Sequence, residues 1–109
     1  LFEEALGMYR ETIVAWVRLG NRGAVAHQLE NIAFIAIEQG DPERAACLLG
    51  AAEVLRDAAA SPMVVSEVDE HARWVERLRA GADAAVIERA WAAGRALSVP
   101  DAVAFATTL

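Results

Sequence analysis

Apolar residues recur every three to four positions along this 109-residue chain, broken by short turns rich in glycine, asparagine and proline. That spacing predicts about six helices. The first is expected from about Phe2 to Leu19, with Leu6, Tyr9, Ile13, Trp16 and Val17 along one stripe. Gly20-Asn21 ends it, because both residue types tolerate the left-handed backbone that follows a helix. The second is expected from about Gly23 to Gln39, with Val25, Leu29, Ile32, Ala33 and Ala36 on one face. Phe34, Ile35 and Ile37 make its later half apolar almost all round, the pattern of a helix held between neighbours.

Gly40-Asp41-Pro42-Glu43 is the sharpest local signal. Gly40 closes the second helix, Asp41 can cap the next, and Pro42 fits a first turn where its missing N–H costs nothing. The third helix, about Pro42 to Ala59, turns Ala45, Leu48, Leu49, Ala52 and Leu55 inward. So tight a turn makes the pair antiparallel. Past Ser61-Pro62, Ser66 with Asp69 predicts a capping box opening a fourth helix, about Ser66 to Arg79. Its inner face is read as Val68, Ala72, Val75 and Leu78, and Gly81 ends it. A fifth, about Ala82 to Ala96, carries Val86 or Ile87, Ala90, Trp91 and Gly94 inward, Gly94 allowing another helix to come close. Ser98 with Asp101 opens a last short helix reaching towards Leu109.

Composition settles the class. The chain is 56% hydrophobic but only 6% aromatic, and alanine, the best helix former, dominates. The expected fold is all-α. The formal net charge is −6, with no lysine and ten arginines dispersed among acids. Phosphate neutralisation needs clustered cations, so no direct nucleic-acid contact by this segment is expected. No apolar run approaches the roughly 18 residues of a membrane span, and a cytoplasmic location is expected.

Candidate chemistry is sparse. There is no phosphate-binding glycine loop with its lysine, and no cofactor is expected. The single Cys47 excludes an internal disulfide and reads as a buried, inert thiol. Glu67 and His71 can share a helical face, but a metal site needs three or four converging ligands. They read instead as a solvated i,i+4 pair. Asp41 has its capping role, and Glu53 and Asp57 read as outward residues interspersed with Arg56. No serine or cysteine has a nucleophile's surroundings. Neither catalytic nor metal residues are expected, and the chain is not read as an enzyme.

The second and third helices resemble a tetratricopeptide repeat, a helix pair of about 34 residues. Leu29, Ile32, Ala33 and Ala36 match packing positions of the first helix of that pair, and Ala45, Leu49 and Ala52 those of the second. The frequent tyrosine of the first helix is Ala36 here, and the terminal proline is missing. Ala5 and Tyr9 resemble the second half of a preceding repeat. Residues 1–60 are therefore expected to be one and a half repeats, and 61–109 a helical cap packed with them as one unit. Two further stretches, Gly40 to Arg56 and Ala90 to Ser98 with Asp101-Ala102-Val103, resemble the carboxyl-terminal region of large bacterial ATPase regulators. Some members of that family are joined to LuxR-type DNA-binding or adenylate cyclase domains. The resemblance spans Leu1 to Leu109. It implies a nucleotide-dependent switch elsewhere, coupled to helical repeats that bind a partner or inducer.

The chain opens on Leu1 and is expected to be a fragment cut through such a solenoid. The resemblance implies a protein partner held on a groove lined by His27, Gln28, Asn31 and Ile35. Two alternatives are a purely structural solenoid cap and a small-molecule sensor pocket around Trp74 and Trp91. Because each repeat needs neighbours to cover its face, Leu6, Tyr9, Ile13 and Trp16 are expected to lie open and to mediate a homodimer through the first helix.

Overall fold

The computed structural model describes residues 2–108. Among these, the chain is all-α, with helices α1 (Phe2–Leu19), α2 (Arg22–Glu38), α3 (Pro42–Ala59), α4 (Val65–Ala80), α5 (Ala84–Arg95) and α6 (Val99–Thr107). The expected reach of the last helix to Leu109, and the outer ends of the resemblance, lie outside the described residues.

Local chemistry places most of the helix ends. Gly20 and Gly40 take the left-handed backbone at φ +71° and +78°, which a side chain would strain. Asn21 does more than end α1: its side chain accepts the Ala24 N–H at 3.0 Å and opens α2. Asp41 accepts the Arg44 N–H at 3.3 Å, and Ser98 the Asp101 N–H at 3.2 Å. Asp83 caps α5 through the Ala85 N–H at 2.8 Å, so that helix starts two residues after the expected Ala82. The capping box proposed at Ser66 does not form. Extended backbone at Val64 lets the helix begin at Val65, leaving the Ser66 hydroxyl inside the first turn, and no side chain caps it.

Helices α1, α2, α3 and α5 pack in succession, each against the next, while α6 touches α1, α2 and α3. With short turns between them, α1/α2 and α2/α3 run antiparallel. Ile13, Val25, Leu29, Ile32, Leu48, Leu49, Leu78 and Ile87 are fully enclosed. Each such side chain contributes about 1.5–3 kcal/mol on leaving water. The seam between α3 and α5 is made by two glycines. A β-carbon on Gly50 would overlap the Trp91 carbonyl oxygen and sit 3.2 Å from the Arg95 nitrogen. One on Gly94 would overlap the Cys47 carbonyl oxygen and sit 2.9 Å from its Cα. The two backbones touch there. An ion pair between Glu53 and Arg95 closes the solvent edge of the seam.

Arg44 fastens α6. Its Nη2 donates to the Phe105 carbonyl at 2.7 Å and to the Thr108 carbonyl, and its guanidinium lies 4.7 Å from the Phe105 ring centre. A cation at a helix C-terminus meets carbonyls that have no helical partner.

Helix α4 departs from its expected face. Val68 and Ala72 are exposed, and the inward side carries Glu67, His71, Trp74, Val75 and Leu78. The rotation has a physical cause. Phe34 of α2 offers a ring on which Trp74 stacks and against which His71 sits edge-on, and Arg56 and His27 beneath α4 draw Glu67 towards them.

Candidate functional site

At the centre of the α2–α3–α4 junction lies a charged pair. Glu30 is buried, 4% exposed. Arg56 binds it with a two-pronged fork: Nε to Oε2 and Nη2 to Oε1, both at 2.7 Å. The third nitrogen, Nη1, donates to the Ser61 carbonyl at 3.0 Å and so ties down the α3 exit, where Ala60 stands in the left-handed region at φ +50°. Carboxylate hydrogen bonding pushes the Arg56 guanidinium above its already high ordinary value, against the effect of burial. Arg56 thus faces inward, contrary to the outward position expected beside Glu53 and Asp57. The sequence pattern hid this because Glu30 stands 26 residues away.

Glu67 of α4 joins the pair at longer range, 3.8 Å from Arg56 Nη2 and 3.8 Å from His27 Nδ1. It faces α2 and α3 instead of pairing with His71 on a solvated face. His71 turns its ring edge-on to Phe34, 6.2 Å between centres at 70°. Burial holds its imidazole below the ordinary 6.5; Glu30 opposes this, Arg56 adds to it and Glu53 opposes it. A folded-state value below the unfolded one means that the unfolded chain takes up the proton first. The stability lent by the neutral ring is complete above pH about 6.5 and is lost as pH falls below it. Thermal midpoints measured at pH 8 and pH 5.5 should therefore fall further in the native chain than in His71→Asn. Equal falls would show that His71 takes up its proton alike in the folded and the unfolded chain.

Beside this cluster, α1, α2 and α4 enclose an open cleft of about 290 Å³. Its lining is Phe2 and Tyr9 from α1, Asn31, Phe34, Ile35 and Glu38 from α2, and Glu70 and Trp74 from α4. Trp74 stacks on Phe34 with ring centres 5.3 Å apart and planes 8° from parallel. The Arg77 guanidinium sits over the Trp74 ring at 5.2 Å and forms an ion pair with Glu38. The wall made by α4 is lightly held, because Leu78 is its one fully buried apolar residue.

Of the four groove residues named from the sequence, Asn31 and Ile35 line this cleft. His27 lies with Glu30 and Glu67, 3.8 Å from each. Gln28 is half-buried, and its Oε1 is buried without a hydrogen-bond partner. Trp74 and Trp91 do not share one pocket: Trp91 lines a separate recess of about 310 Å³ with Glu53, Ile87 and Glu88. The stripe expected to lie open on α1 is largely covered. Leu6 and Ile13 are 8% and 0% exposed, and Tyr9 and Trp16 are half-buried against the core. The face assigned to a missing helix is the one that α2 and α6 use. Apolar exposure on α1 falls instead on Phe2, Met8, Val14, Val17 and Leu19. Cys47 is half-buried, and burial pushes its thiol up while Arg44 opposes this.

Sequence reasoning missed Glu38, Glu70 and Phe34 as parts of one site. The available signal was the spacing of Glu67, Glu70, His71 and Trp74, which places them along one side of a helix. No helix among the described residues is long and apolar enough to cross a membrane, and no group of three or more His, Cys, Asp and Glu among them could hold a metal ion. The chain matches no family model, no curated protein and no solved structure.

Proposed function

We propose that the chain is a non-catalytic protein-interaction and regulatory-coupling module of a bacterial transcriptional or signal-transduction regulator. The cleft between α1, α2 and α4 is its recognition surface. The observation that carries this reading is the combination of four aromatic rings, Phe2, Tyr9, Phe34 and Trp74, around an open cavity with one lightly held wall. Rings concentrate contact area at low conformational cost, which is why they anchor recognition surfaces. A ligand seated against Trp74 bears on α4, and α4 meets α3 through Glu67 and Arg56. The repeat-like positions from Leu29 to Ala52, and the resemblance of Gly40 to Arg56 to regulator sequences, support the regulatory part.

The test is an array of immobilised peptides of varied sequence, probed with the native chain, with Trp74→Ala and with Leu19→Ala. Binding that Trp74→Ala abolishes and Leu19→Ala leaves intact supports the reading. Peptide binding indifferent to Trp74, or none at all, overturns it. For the regulator itself, an antibody against the chain should detect a polypeptide many times its size in the source cells. A small-molecule inducer is the second reading, favoured by a cavity close to the roughly 300 Å³ at which ligand pockets begin.

A further inference from the structure

We infer that the cleft selects an arginine side chain presented by a protein partner, an inference that rests on the recognition surface proposed above. The first observation is internal. The chain's own Arg77 has already found, at the edge of the cleft, the two things that stabilise a guanidinium: the face of Trp74 at 5.2 Å and the carboxylate of Glu38. A planar cation gains from the negative face of an aromatic ring, and its fork matches a carboxylate.

The cleft repeats that pairing with room left over. Tyr9, Phe34 and Phe2 supply further ring surface, Glu38 and Glu70 supply carboxylates, and no basic side chain lines it. Glu70 has no ion-pair partner among the described residues, whereas Glu38 is engaged by Arg77. Asn31 adds an amide oxygen that can accept from a guanidinium N–H. At a net charge of −6 the whole chain attracts a cationic segment and repels an acidic one. The arrangement favours arginine over lysine, since the ammonium is a compact, strongly hydrated charge with no plane to stack.

Arg77 then acts as an internal competitor. It holds Glu38 and one approach to Trp74, so an incoming guanidinium gains more when Arg77 is gone. Its side chain is about half exposed, 54%, so its removal is not a core change.

The experiment uses one short peptide, acetylated and amidated, carrying a single arginine among alanines and leucines. Matched peptides carry lysine, glutamine or glutamate in its place. Binding is followed by the NMR shifts of the Trp74 indole N–H and the Asn31 side-chain amide. The expected result is saturable shifts with the arginine peptide and affinity at least about tenfold weaker with glutamine, the size of one charge-assisted contact. The lysine peptide should fall between them, and glutamate should fail to bind. Glu70→Gln should weaken the arginine peptide several-fold, and Arg77→Ala should tighten it. Equal binding of the arginine and glutamine peptides, or tightening that does not follow loss of Arg77, overturns the arginine inference. In the first case the recognition surface stands without it. If no peptide in this set or the array moves the Trp74 signal, both readings fall.

Discussion

Gly94→Ala is expected to lose about 1–3 kcal/mol of stability, because an added methyl group must displace backbone and not a yielding side chain. The β-carbon would overlap the Cys47 carbonyl oxygen, with the Cys47 carbonyl carbon 2.7 Å away. That carbonyl belongs to the middle of α3, so relief requires α5 to move off α3 as a body. Separation would also open the contact at Gly50, where the Trp91 carbonyl carbon stands 3.0 Å from a built β-carbon. Gly50→Ala should therefore behave like Gly94→Ala. In each case alanine brings about 1 kcal/mol of helix propensity that offsets only part of the loss.

The same substitution elsewhere supplies the control. Gly7 is exposed in the middle of α1, and nothing lies within 4 Å of its built β-carbon. Gly7→Ala should stabilise the chain by about 1 kcal/mol, the propensity gain without the collision. Urea unfolding of the three variants checks the account. Losses at Gly50 and Gly94 no larger than the change at Gly7 would show that α5 can move off α3 at little cost.

The second large effect concerns Glu30 and Arg56. Glu30→Ala leaves the Arg56 guanidinium, whose side chain is 10% exposed, without its two-pronged partner and with only the longer contact to Glu67 at 3.8 Å. Arg56→Ala leaves a carboxylate 5% exposed and takes away the anchor of the Ser61 carbonyl. Either change is expected to cost about 3–5 kcal/mol, the penalty of an uncompensated buried charge. A domain has only about 5–15 kcal/mol in hand, so each single variant should melt at much lower temperature. Replacing both together, Glu30→Leu with Arg56→Met, should lose much less than the sum, because no charge is stranded. A double variant as unstable as that sum would mean that the pair contributes as two separate contacts. The cycle also reads the seat of α4, since Glu67 reaches Arg56 at 3.8 Å and His27 at 3.8 Å.

Both effects are hard to see in the sequence, for different reasons. Gly94 was legible as a place where a helix could come close, since its neighbours are helical and it has no side chain. Which backbone came close was not, because nothing in the spacing of α3 marks the Cys47 carbonyl as the group that Gly94 meets. The spacing of α2 singled out no role for Glu30, and Arg56 read as one charge in an outward cluster with Glu53 and Asp57. Their pairing depends on the angle at which α2 crosses α3. The cleft was half legible. Asn31 and Ile35 were named from the groove that the repeat resemblance implies, but Phe34, Glu38 and Glu70 join them only where α4 packs against α2. On α4 the apolar pattern pointed to Val68 and Ala72, and the ring stacking and the buried charge turned the helix away from them.

The sequence by itself determined the six helices, their approximate bounds and most of the residues that end them. Those features rest on interactions between residues no more than four apart: Asn21 with Ala24, Asp41 with Arg44, Ser98 with Asp101. The inward faces of α2 and α3 were equally readable, because apolar spacing on a helix is local too. Only the tertiary structure decided which of those faces meet. Glu30 finds Arg56 across 26 residues and Arg44 finds Phe105 across 61. Such contacts form only after the helices have packed, and local spacing carries no record of the partner.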